Sequence, residues 1–283
     1  MSKMSAKIID GRKIAEKIII GLKSKVKALK EKPGLALVLV GNNPASEIYV
    51  NFKEKTCREA GFHCERFNLD KGASDTDLLK IVNHLNQKNE IHGILVQLPL
   101  PDGINENLII NSILAHKDVD GFTPTNLGSL VSGNQILAPA TARAVMSLIE
   151  STGIGIAGKD AVVIGRSNIV GKPVAMMLLE KNATVTICHS RTKNLSEHTK
   201  KADVLVVAVG KPGLVTKEMV KPGAVVIDVG INRLDGKIVG DVDFENVKEI
   251  AGFITPVPGG VGPMTIAMLM ENTLKAMELA RKL

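Results

Sequence analysis

Short apolar runs of strand length alternate with amphipathic stretches of helix length along almost the whole chain. The runs are nearly continuous in Val, Ile, Leu and Ala, which is typical of strands buried on both faces of a parallel sheet. The predicted strands are 35–40, 91–96, 161–164, 184–188, 204–209 and 224–229. The main predicted helices are 11–30, 44–60, 75–88, 141–152, 172–181 and 264–283. This alternation predicts an α/β fold in which helices cover a mostly parallel sheet.

The predicted strands fall into two groups, separated by the stretch 102–158. Such a gap argues against a single eight-fold β/α barrel, in which strands and helices alternate without a long interruption. We therefore predict two α/β domains. The first comprises 1–140 and is joined by the C-terminal helix 264–283, which packs back toward it. The second, 141–263, is predicted to be a Rossmann-like parallel sheet.

The overall composition is that of a globular chain with an excess of positive charge. It is 45% hydrophobic and 23% charged, so a substantial core can form. The 36 Lys and Arg residues outnumber the 29 Asp and Glu residues, and the formal net charge of +7 favours an anionic ligand. One Tyr, six Phe and no Trp offer few platforms for stacked bases, so nucleic acid ranks last among partners. A small anionic ligand is the better interpretation.

The sequence contains no pattern typical of export or of a membrane anchor. No apolar run reaches the length of a membrane span, and the first residues lack the apolar block of a signal peptide. Cys57, Cys64 and Cys188 are odd in number and have no metal-binding spacing. We therefore expect a cytoplasmic protein with reduced, buried thiols, no metal site and no membrane association.

A glycine-containing loop, GRSNIVGKP at 165–173, follows the predicted strand 161–164 and leads into a predicted helix. In an open parallel sheet, backbone amides and a helix N-terminus bind phosphate at this position. Gly165 and Gly171 would let the backbone approach a phosphate closely, although their spacing departs from the usual G-x-G-x-x-G. The loop therefore indicates a dinucleotide site, and a merely structural turn is the alternative.

The next predicted strand, 184–188, ends without the carboxylate that NAD-specific sites use to bind the ribose 2′-hydroxyl. The residues that follow are His, Ser, Arg and Thr. Because a guanidinium matches phosphate oxygens with paired donors, Arg166 and Ser190 fit the 2′-phosphate of NADP. The sequence therefore predicts NADP as the cofactor and leaves open whether Arg191 takes part.

The predicted helix 44–60 contains Tyr49 and Lys53, which are four residues apart and share one face. Its buried side is expected to consist of apolar residues, namely Ile48, Phe52 and Ala60. Lys53 is expected at the margin of that side, where a solvated lysine is the simpler interpretation on spacing alone. Short-chain dehydrogenases also use Tyr-x-x-x-Lys, but their pair follows the glycine-rich loop within the same domain. Here the pair precedes the loop and lies in another domain, so that family is rejected.

Two further stretches present polar side chains where elements end. In ILVQLPLP, Gln97 follows a predicted strand and two prolines come after it, so its amide is expected at the strand's carboxyl end. In KDVDGF, Asp118 and Asp120 precede a glycine. Either aspartate is explained equally well by turn hydrogen bonds or by a functional role.

Taken together, these motifs resemble the bifunctional methylenetetrahydrofolate dehydrogenase/cyclohydrolase family. The resemblance covers both predicted domains, and the motifs occur in the order of that family. The matching stretches are YVNFK at 49–53, VQLPLP at 96–101, KDVDGF at 117–122, GRSNIVGKP, VIDVGIN at 226–232, GDVDF at 240–244 and TPVPGGVGPMT at 255–265.

The resemblance implies an enzyme with two activities in one-carbon metabolism and purine biosynthesis. It would oxidise 5,10-methylenetetrahydrofolate with NADP to 5,10-methenyltetrahydrofolate, and then hydrolyse this product to 10-formyltetrahydrofolate. The family implies a cytosolic homodimer, with a folate-binding catalytic first domain and an NADP-binding second domain. Polyglutamylated folates and NADP are both anionic, which suits the positive net charge.

The resemblance also implies roles for individual residues. Lys53 would be the catalytic lysine, and Gln97 would hydrogen-bond to it. Tyr49 would lie beside the folate ring, while Asp120 would bind the pterin, whose paired N–H donors suit a carboxylate. Further folate-binding residues would be Pro258, Gly259 and Gly262. The residues that contact NADP would be Gly165, Arg166, Ser167, Ser190 and Ile231.

The two steps make different demands on the chain. Oxidation depends mainly on placing the methylene carbon beside the nicotinamide, in a cleft between the domains. Hydrolysis needs a group that moves protons near neutral pH, which a lysine with a lowered pKa can do. Some relatives in that family that only oxidise lack this lysine, so the resemblance at Lys53 implies both activities. The alternatives are a dehydrogenase without hydrolase activity and an NADP-sensing module without turnover.

Overall fold

The structure, a computed structural model, describes residues 5–281 and divides them into two compact units. One unit comprises residues 5–15 and Thr141–Thr265, and the other comprises Glu16–Ala140 and 266–281. The first of these ranges differs from the prediction, which placed it with the first domain. It belongs with Thr141–Thr265 because a short strand within it pairs in that unit's sheet.

The strands are β1 (Lys7–Ile8), β2 (Gly34–Val40), β3 (His63–Leu69), β4 (Gly93–Val96), β5 (Asp160–Ile164), β6 (Thr184–Cys188), β7 (Val204–Val207), β8 (Val225–Asp228), β9 (Asn232–Leu234), β10 (Lys237–Val239) and β11 (Phe253–Ile254). The helices are α1 (Gly11–Ala28), α2 (Pro44–Glu59), α3 (Asp75–Gln87), α4 (Glu106–Asn111), α5 (Pro124–Val131), α6 (Ala140–Glu150), α7 (Gly171–Glu180), α8 (Leu195–Thr199), α9 (Phe244–Val247) and α10 (Val261–Ala280). A short 3₁₀ helix spans Lys217–Met219. All six predicted strands and all six predicted helices are present, with ends displaced by a few residues.

The unit formed by Glu16–Ala140 and 266–281 contains a three-stranded parallel sheet in the order β3-β2-β4. Strand β2 is buried along its whole length, as its unbroken apolar sequence predicts. Helix α3 packs on the sheet through three buried residues, Leu78, Val82 and Leu85. Strand β3 was not predicted, because its sequence HCERFNL mixes polar and apolar residues, as an edge strand can.

The other unit contains a six-stranded sheet in the order β1-β11-β8-β7-β5-β6. Every adjacent pair is parallel, which confirms the predicted Rossmann-like sheet. Strands β5, β7 and β8 contribute Val162, Ile164, Leu205, Val207 and Val226 to its core. The chain goes from β5 to β6 on one side and then to β7 on the other, so the strand order reverses between β5 and β7. The carboxyl ends of strands at such a reversal form the usual ligand crevice of a doubly wound sheet.

Four further short strands escaped prediction. Strands β1 and β11 have two residues each, too few to show a pattern. Strands β9 and β10 form an antiparallel hairpin around Asp235 and Gly236, which both have positive φ, as a tight Asp-Gly turn requires.

Helix α10 begins three residues earlier than predicted, and residues 282–283 of the predicted helix lie outside the described residues. Within the described chain, no helix combines the length and apolar character needed to cross a bilayer.

Candidate active site

Helix α2 places a lysine on its buried face. Asn43 caps the helix by accepting hydrogen bonds from the backbone N–H groups of the first turn, and Pro44 begins it. The buried residues of the helix are Ser46, Val50, Lys53 and Cys57. The expected apolar side was wrong in two residues, because Ile48 and Phe52 are 45% and 55% exposed. Lys53 is only 9% exposed, so it is a buried lysine and not a marginal one.

The Lys53 amine is held by a glutamine at the end of β4. Lys53 Nζ donates a hydrogen bond of 2.9 Å to Gln97 Oε1, as the family resemblance implied. The Gln97 side-chain N–H₂ donates to the carbonyl oxygen of Leu98 at 2.6 Å, which fixes which amide atom faces the lysine. The Gln97 backbone N–H continues the β2 ladder by donating to Val38 at 2.8 Å. A neutral oxygen acceptor thus orients the amine without neutralising a positive charge.

The two aspartates of KDVDGF have different surroundings. The Asp118 carboxylate accepts hydrogen bonds from the backbone N–H groups of Gly121 and Thr123 at 2.9 and 2.7 Å, and from the Asn126 side chain at 2.9 Å. Asp118 therefore stabilises the turn. No hydrogen bond to the Asp120 carboxylate is found between residues 5 and 281, which leaves its oxygens available to a ligand. The turn explanation is thus confirmed for Asp118, while a functional role for Asp120 stays a prediction.

The backbone brings Asp120 close to Lys53 and Gln97. The segment that contains both aspartates runs parallel to β4, with Ile94 paired to Asp118, so Asp120 lies alongside the carboxyl end of that strand. Helix α10 supports the segment through Asn272, whose side chain donates to the backbone carbonyls of Val119 and Ala138 at 2.8 Å each.

Desolvation dominates the electrostatics of this group. Burial lowers the pKa of the Lys53 amine, and the Asp120 carboxylate opposes this shift. Asp120 retains some exposure, yet desolvation by the surrounding protein raises the pKa of its carboxyl to about 6. The positive charge of Lys53 lowers this pKa, and the negative charge of Asp118 raises it further. An amine with a lowered pKa, next to an acidic group that titrates near neutrality, can exchange protons at physiological pH.

The glycine loop after β5 is shaped for close backbone approach. Gly165 has φ +127°, and a Cβ there would lie 2.3 Å from the carbonyl oxygen of Ala208. A Cβ on Gly171 would lie 2.2 Å from the carbonyl oxygen of Gly165. Only glycine fits either position. Ser167 Oγ accepts the backbone N–H groups of Val170 and Gly171 at 3.1 and 3.3 Å, which starts helix α7, and its hydroxyl hydrogen can still be donated to a ligand.

The end of β6 carries donors and no acidic residue. A tight turn follows the strand, in which the His189 backbone N–H donates to Thr192 Oγ1 at 2.9 Å and the Arg191 backbone N–H to His189 Nδ1 at 3.1 Å. Ser190 and Arg191 are exposed on this turn. Arg166 is also exposed and forms no ion pair with any described residue. A glycine cradle with exposed guanidinium and hydroxyl groups fits NADP, whose 2′-phosphate needs donors where NAD-binding proteins use a carboxylate.

The remaining predicted ligand-binding residues lie on two loops and at the start of α10, in the same unit. Pro258 follows a cis peptide bond, and Gly259 has φ +112°, a conformation essentially restricted to glycine. The Gly259 carbonyl oxygen accepts the backbone N–H of Arg12 at 3.0 Å. Gly262 lies in the first turn of α10, with open space where a Cβ would be. Ile231 follows β8 and is 49% exposed.

The predicted site residues fall into two groups, one in each unit. Lys53, Gln97 and Asp120 form one group, with Tyr49 one helical turn before Lys53, in the unit of Glu16–Ala140. The predicted residues of the other unit are Gly165, Arg166, Ser167, Ser190, Ile231, Pro258, Gly259 and Gly262. Asp228 and Asp241, which are buried beside the cofactor loops, were given no role from the sequence. Their signal was present, since both lie in quoted motifs as aspartates between apolar residues.

Two family models match the chain. The description of one is tetrahydrofolate dehydrogenase/cyclohydrolase, catalytic domain, and it matches residues 9–120. The other is the NAD(P)-binding domain of tetrahydrofolate dehydrogenase/cyclohydrolase and matches residues 139–281. The two matched ranges together cover nearly all of the chain.

Individual relatives are similar over their full lengths. A protein from Moorella thermoacetica, named bifunctional protein FolD, is 56% identical over 277 residues, which cover 96% of this chain and 99% of the relative. The crystal structure of the bifunctional enzyme FolD, methylenetetrahydrofolate dehydrogenase/cyclohydrolase, from Campylobacter jejuni is 50% identical, with a TM-score of 0.95 over 99% of this chain and 100% of that one. The structure of the Trypanosoma brucei enzyme, complexed with NADP cofactor and inhibitor, is 38% identical, with a TM-score of 0.95 over 99% of both chains.

Proposed function

The chain belongs to the tetrahydrofolate dehydrogenase/cyclohydrolase family. From this premise we propose that it is an NADP-dependent 5,10-methylenetetrahydrofolate dehydrogenase. We propose that it also hydrolyses the product, 5,10-methenyltetrahydrofolate, to 10-formyltetrahydrofolate. The observation that carries both activities is the buried lysine, bonded to Gln97 and facing an aspartate without hydrogen-bond partners among the described residues. A dehydrogenase alone gives no reason to bury Lys53, and an NADP-sensing module gives no reason for any member of this group.

In the oxidation, the chain's task is binding and orientation. The loop from Gly165 to Gly171 offers backbone N–H groups and the start of α7 to the phosphates, and Arg166 with Ser190 binds the 2′-phosphate. The Asp120 carboxylate accepts the paired N–H donors of the pterin, and the Tyr49 ring lies against its flat face. Bound NADP supplies the hydride acceptor. Loss of hydride from the methylene carbon is assisted by the nitrogen lone pairs of the folate and needs no strong base.

In the hydrolysis, Lys53 moves protons. The neutral amine takes a proton from the water that adds to the cationic methenyl carbon. The protonated amine then gives a proton to N5 as the carbon–N5 bond breaks, while the adduct's hydroxyl loses its proton to solvent and becomes the formyl carbonyl. One proton is released overall. Burial, by lowering the pKa of Lys53, provides the neutral amine at the start of this sequence.

Further proposals concern the roles of the two units, the assembly, the substrates and the location. We propose that Glu16–Ala140 with 266–281 carries the folate chemistry and that Thr141–Thr265 carries the cofactor. We also propose a homodimer, because β6 is an edge strand, paired on one side only within the described chain. The positive net charge supports polyglutamylated folates as substrates. Three free, buried cysteines support a cytoplasmic location.

The test combines one assay for each step with a matched pair of variants. NADPH absorbance is followed after mixing NADP with methylenetetrahydrofolate, and hydrolysis is followed by the loss of methenyltetrahydrofolate absorbance. Lys53→Met should reduce hydrolysis by about 100-fold or more while oxidation survives in part. Lys55→Met, on the exposed face of the same helix, is the control and should leave both rates near wild type. The absence of NADPH formation in the wild type would end the proposal, and equal loss of both steps in Lys53→Met would refute the role of the lysine.

A further inference from the structure

A buried carboxylate organises the loop that follows β7. Asp241 is 0% exposed. Its Oδ2 accepts the backbone N–H groups of Val209 and Gly210 at 2.7 and 2.9 Å, and its Oδ1 accepts that of Lys211 at 2.8 Å. The Asn232 side chain donates a fourth hydrogen bond at 2.9 Å. Three successive backbone amides that converge on one anion form a nest, which in many proteins holds a bound phosphate. Here the protein's own carboxylate fills the nest.

A second buried carboxylate orients the first. Asp228 is 3% exposed, and its Oδ1 accepts the backbone N–H groups of Gly230 and Asp241, both at 3.0 Å. Its Oδ2 accepts the backbone N–H of Val242 at 2.9 Å. The Asp228 backbone N–H donates to Thr255 Oγ1 at 2.8 Å. Asp228 therefore fixes the peptide groups on both sides of Asp241, and Asp241 in turn fixes the loop that follows β7.

The surrounding glycines are specific to this arrangement. A Cβ on Gly230 would lie 2.2 Å from Cγ of Asp241, and a Cβ on Gly240 would lie 1.9 Å from Oδ2 of Asp228. Any larger residue at either position would displace a carboxylate. These contacts explain the Gly and Asp of both VIDVGIN and GDVDF, for which the proposed function itself gives no reason.

Within the described residues, neither aspartate forms a salt bridge with a lysine, arginine or histidine. Their charges are compensated by N–H dipoles alone, and desolvation raises the pKa of the Asp228 carboxyl to about 6 in spite of three backbone hydrogen bonds. Apolar side chains would fill the same volume at lower desolvation cost. What the carboxylates add is the fixed direction of seven N–H groups on neighbouring loops.

The loops that they fix adjoin the proposed cofactor site. The carbonyl oxygen of Ala208, next to the nest, is the atom that a Cβ on Gly165 would strike. Ile231 lies between two anchored residues, since the Gly230 N–H is bonded to Asp228 and the Asn232 side chain to Asp241. Both segments stand at the carboxyl ends of β7 and β8, beside the reversal of strand order.

We propose that Asp241 and Asp228 are positioning residues for NADP binding, which hold the segments 208–211 and 230–232 in the conformation that the cofactor requires. The inference rests on the proposed function, because it takes the crevice beside β5 and β7 as the NADP site. It assigns no contact between either carboxylate and the cofactor. The positive charges that attract NADP are supplied elsewhere, so two buried negative charges here act through backbone geometry.

The first experiment replaces Asp241 by Asn in the full chain. One carboxylate oxygen becomes an N–H₂ group, which meets N–H donors and cannot accept from them. We expect the Kd for NADP, measured by calorimetry, to rise at least tenfold, with a matching rise in the NADP KM and a smaller change in kcat. Amide hydrogen exchange at 209–211 should accelerate in the protein without NADP. Leu205→Ala, a cavity in strand β7 of the same sheet, is the control for lost stability and should leave the Kd within about twofold.

Two milder variants decide the matter should Asp241→Asn fail to fold. Asn232→Ala removes one donor from the Asp241 carboxylate, and Thr255→Val removes the acceptor of the Asp228 N–H. Each should weaken NADP binding about threefold and speed exchange at the segment it releases. A lower melting temperature with wild-type NADP affinity would show that the aspartates serve stability alone and would overturn the inference. A wild-type protein that does not bind NADP would instead overturn the proposed function.

Discussion

Replacing Asp120 by Asn tests the electrostatics of the candidate site most directly. The pKa of this carboxyl is about 6 in the folded protein against an ordinary 3.8, because desolvation outweighs the attraction to Lys53. For a carboxyl whose pKa rises on folding, ionisation opposes folding. This penalty is absent below the unfolded pKa and complete above the folded one. A shift of roughly two units corresponds to about 3 kcal/mol at neutral pH.

Asp120→Asn, which cannot ionise, should therefore increase the free energy of unfolding by up to about 3 kcal/mol near pH 7.5. The gain should shrink as pH falls from about 6.5 to 4, and it should be below about 1 kcal/mol at pH 4. Urea unfolding followed by circular dichroism across this range measures it. Asp102→Asn, at an exposed position in the same unit, is the control and should change stability by less than about 0.5 kcal/mol at every pH.

A loss of stability at neutral pH, or a gain that does not depend on pH, would refute the reasoning, because either result would mean that Asp120 is not a desolvated charge. The expected gain in stability should come with weaker folate binding. Asp120 lowers the stability of the folded protein, and the folate that it binds explains its presence at this position.

Three further predictions concern other residues. Arg166→Ala should weaken NADP binding at least tenfold and NAD binding less than twofold, as measured by calorimetry. The same measurement on Arg191→Ala shows whether that side chain contributes. An unchanged preference for NADP over NAD in Arg166→Ala would place the 2′-phosphate elsewhere. Asp118→Asn should lower the free energy of unfolding by about 2 kcal/mol in the same urea assay, since an N–H₂ group would replace an acceptor of two hydrogen bonds, and wild-type stability would contradict its role in the turn. The hydrolysis rate should rise with pH through the lowered pKa of Lys53 and level off below the pH range in which a free lysine titrates. In Asp120→Asn the pH profile of hydrolysis should move to lower pH, because the carboxylate that raises the pKa of Lys53 is gone. An unchanged pH profile in this variant would contradict the coupling between the two residues.

The sequence predicted the buried parts of the fold better than its edges. Strands such as β2 and β7 were recognised because a strand covered on both faces must be apolar throughout. Strand β3 lies at a sheet edge, where polar residues are tolerated, and β1 has two residues, so neither carried a readable pattern. Because β1 was missed, residues 5–15 were grouped with the first predicted domain, whereas β1 pairs with β11 in the other unit.

Within the candidate site, residue types and positions along elements were predictable, but surroundings were not. The glycine loop could be placed from strand, loop and helix order alone. The orientation of helix α2 could not, since Ile48 and Phe52 are apolar yet exposed while Lys53 is buried. Asp118 and Asp120 are two residues apart in one motif, and only the tertiary positions of their hydrogen-bond donors distinguish them.

The division of the chain into units has a consequence for biosynthesis. The chain is synthesised from its N-terminus, but β1 can pair in its sheet only after β11 has left the ribosome. The backbone carbonyls of Val119 and Ala138 accept hydrogen bonds from Asn272, which is synthesised later still. The unit of Glu16–Ala140 and 266–281 therefore cannot reach its final form until the other unit has been synthesised. Both units should fold only after β11 has been synthesised, and a gene split between codons 140 and 141 should yield two fragments that fold only when they associate.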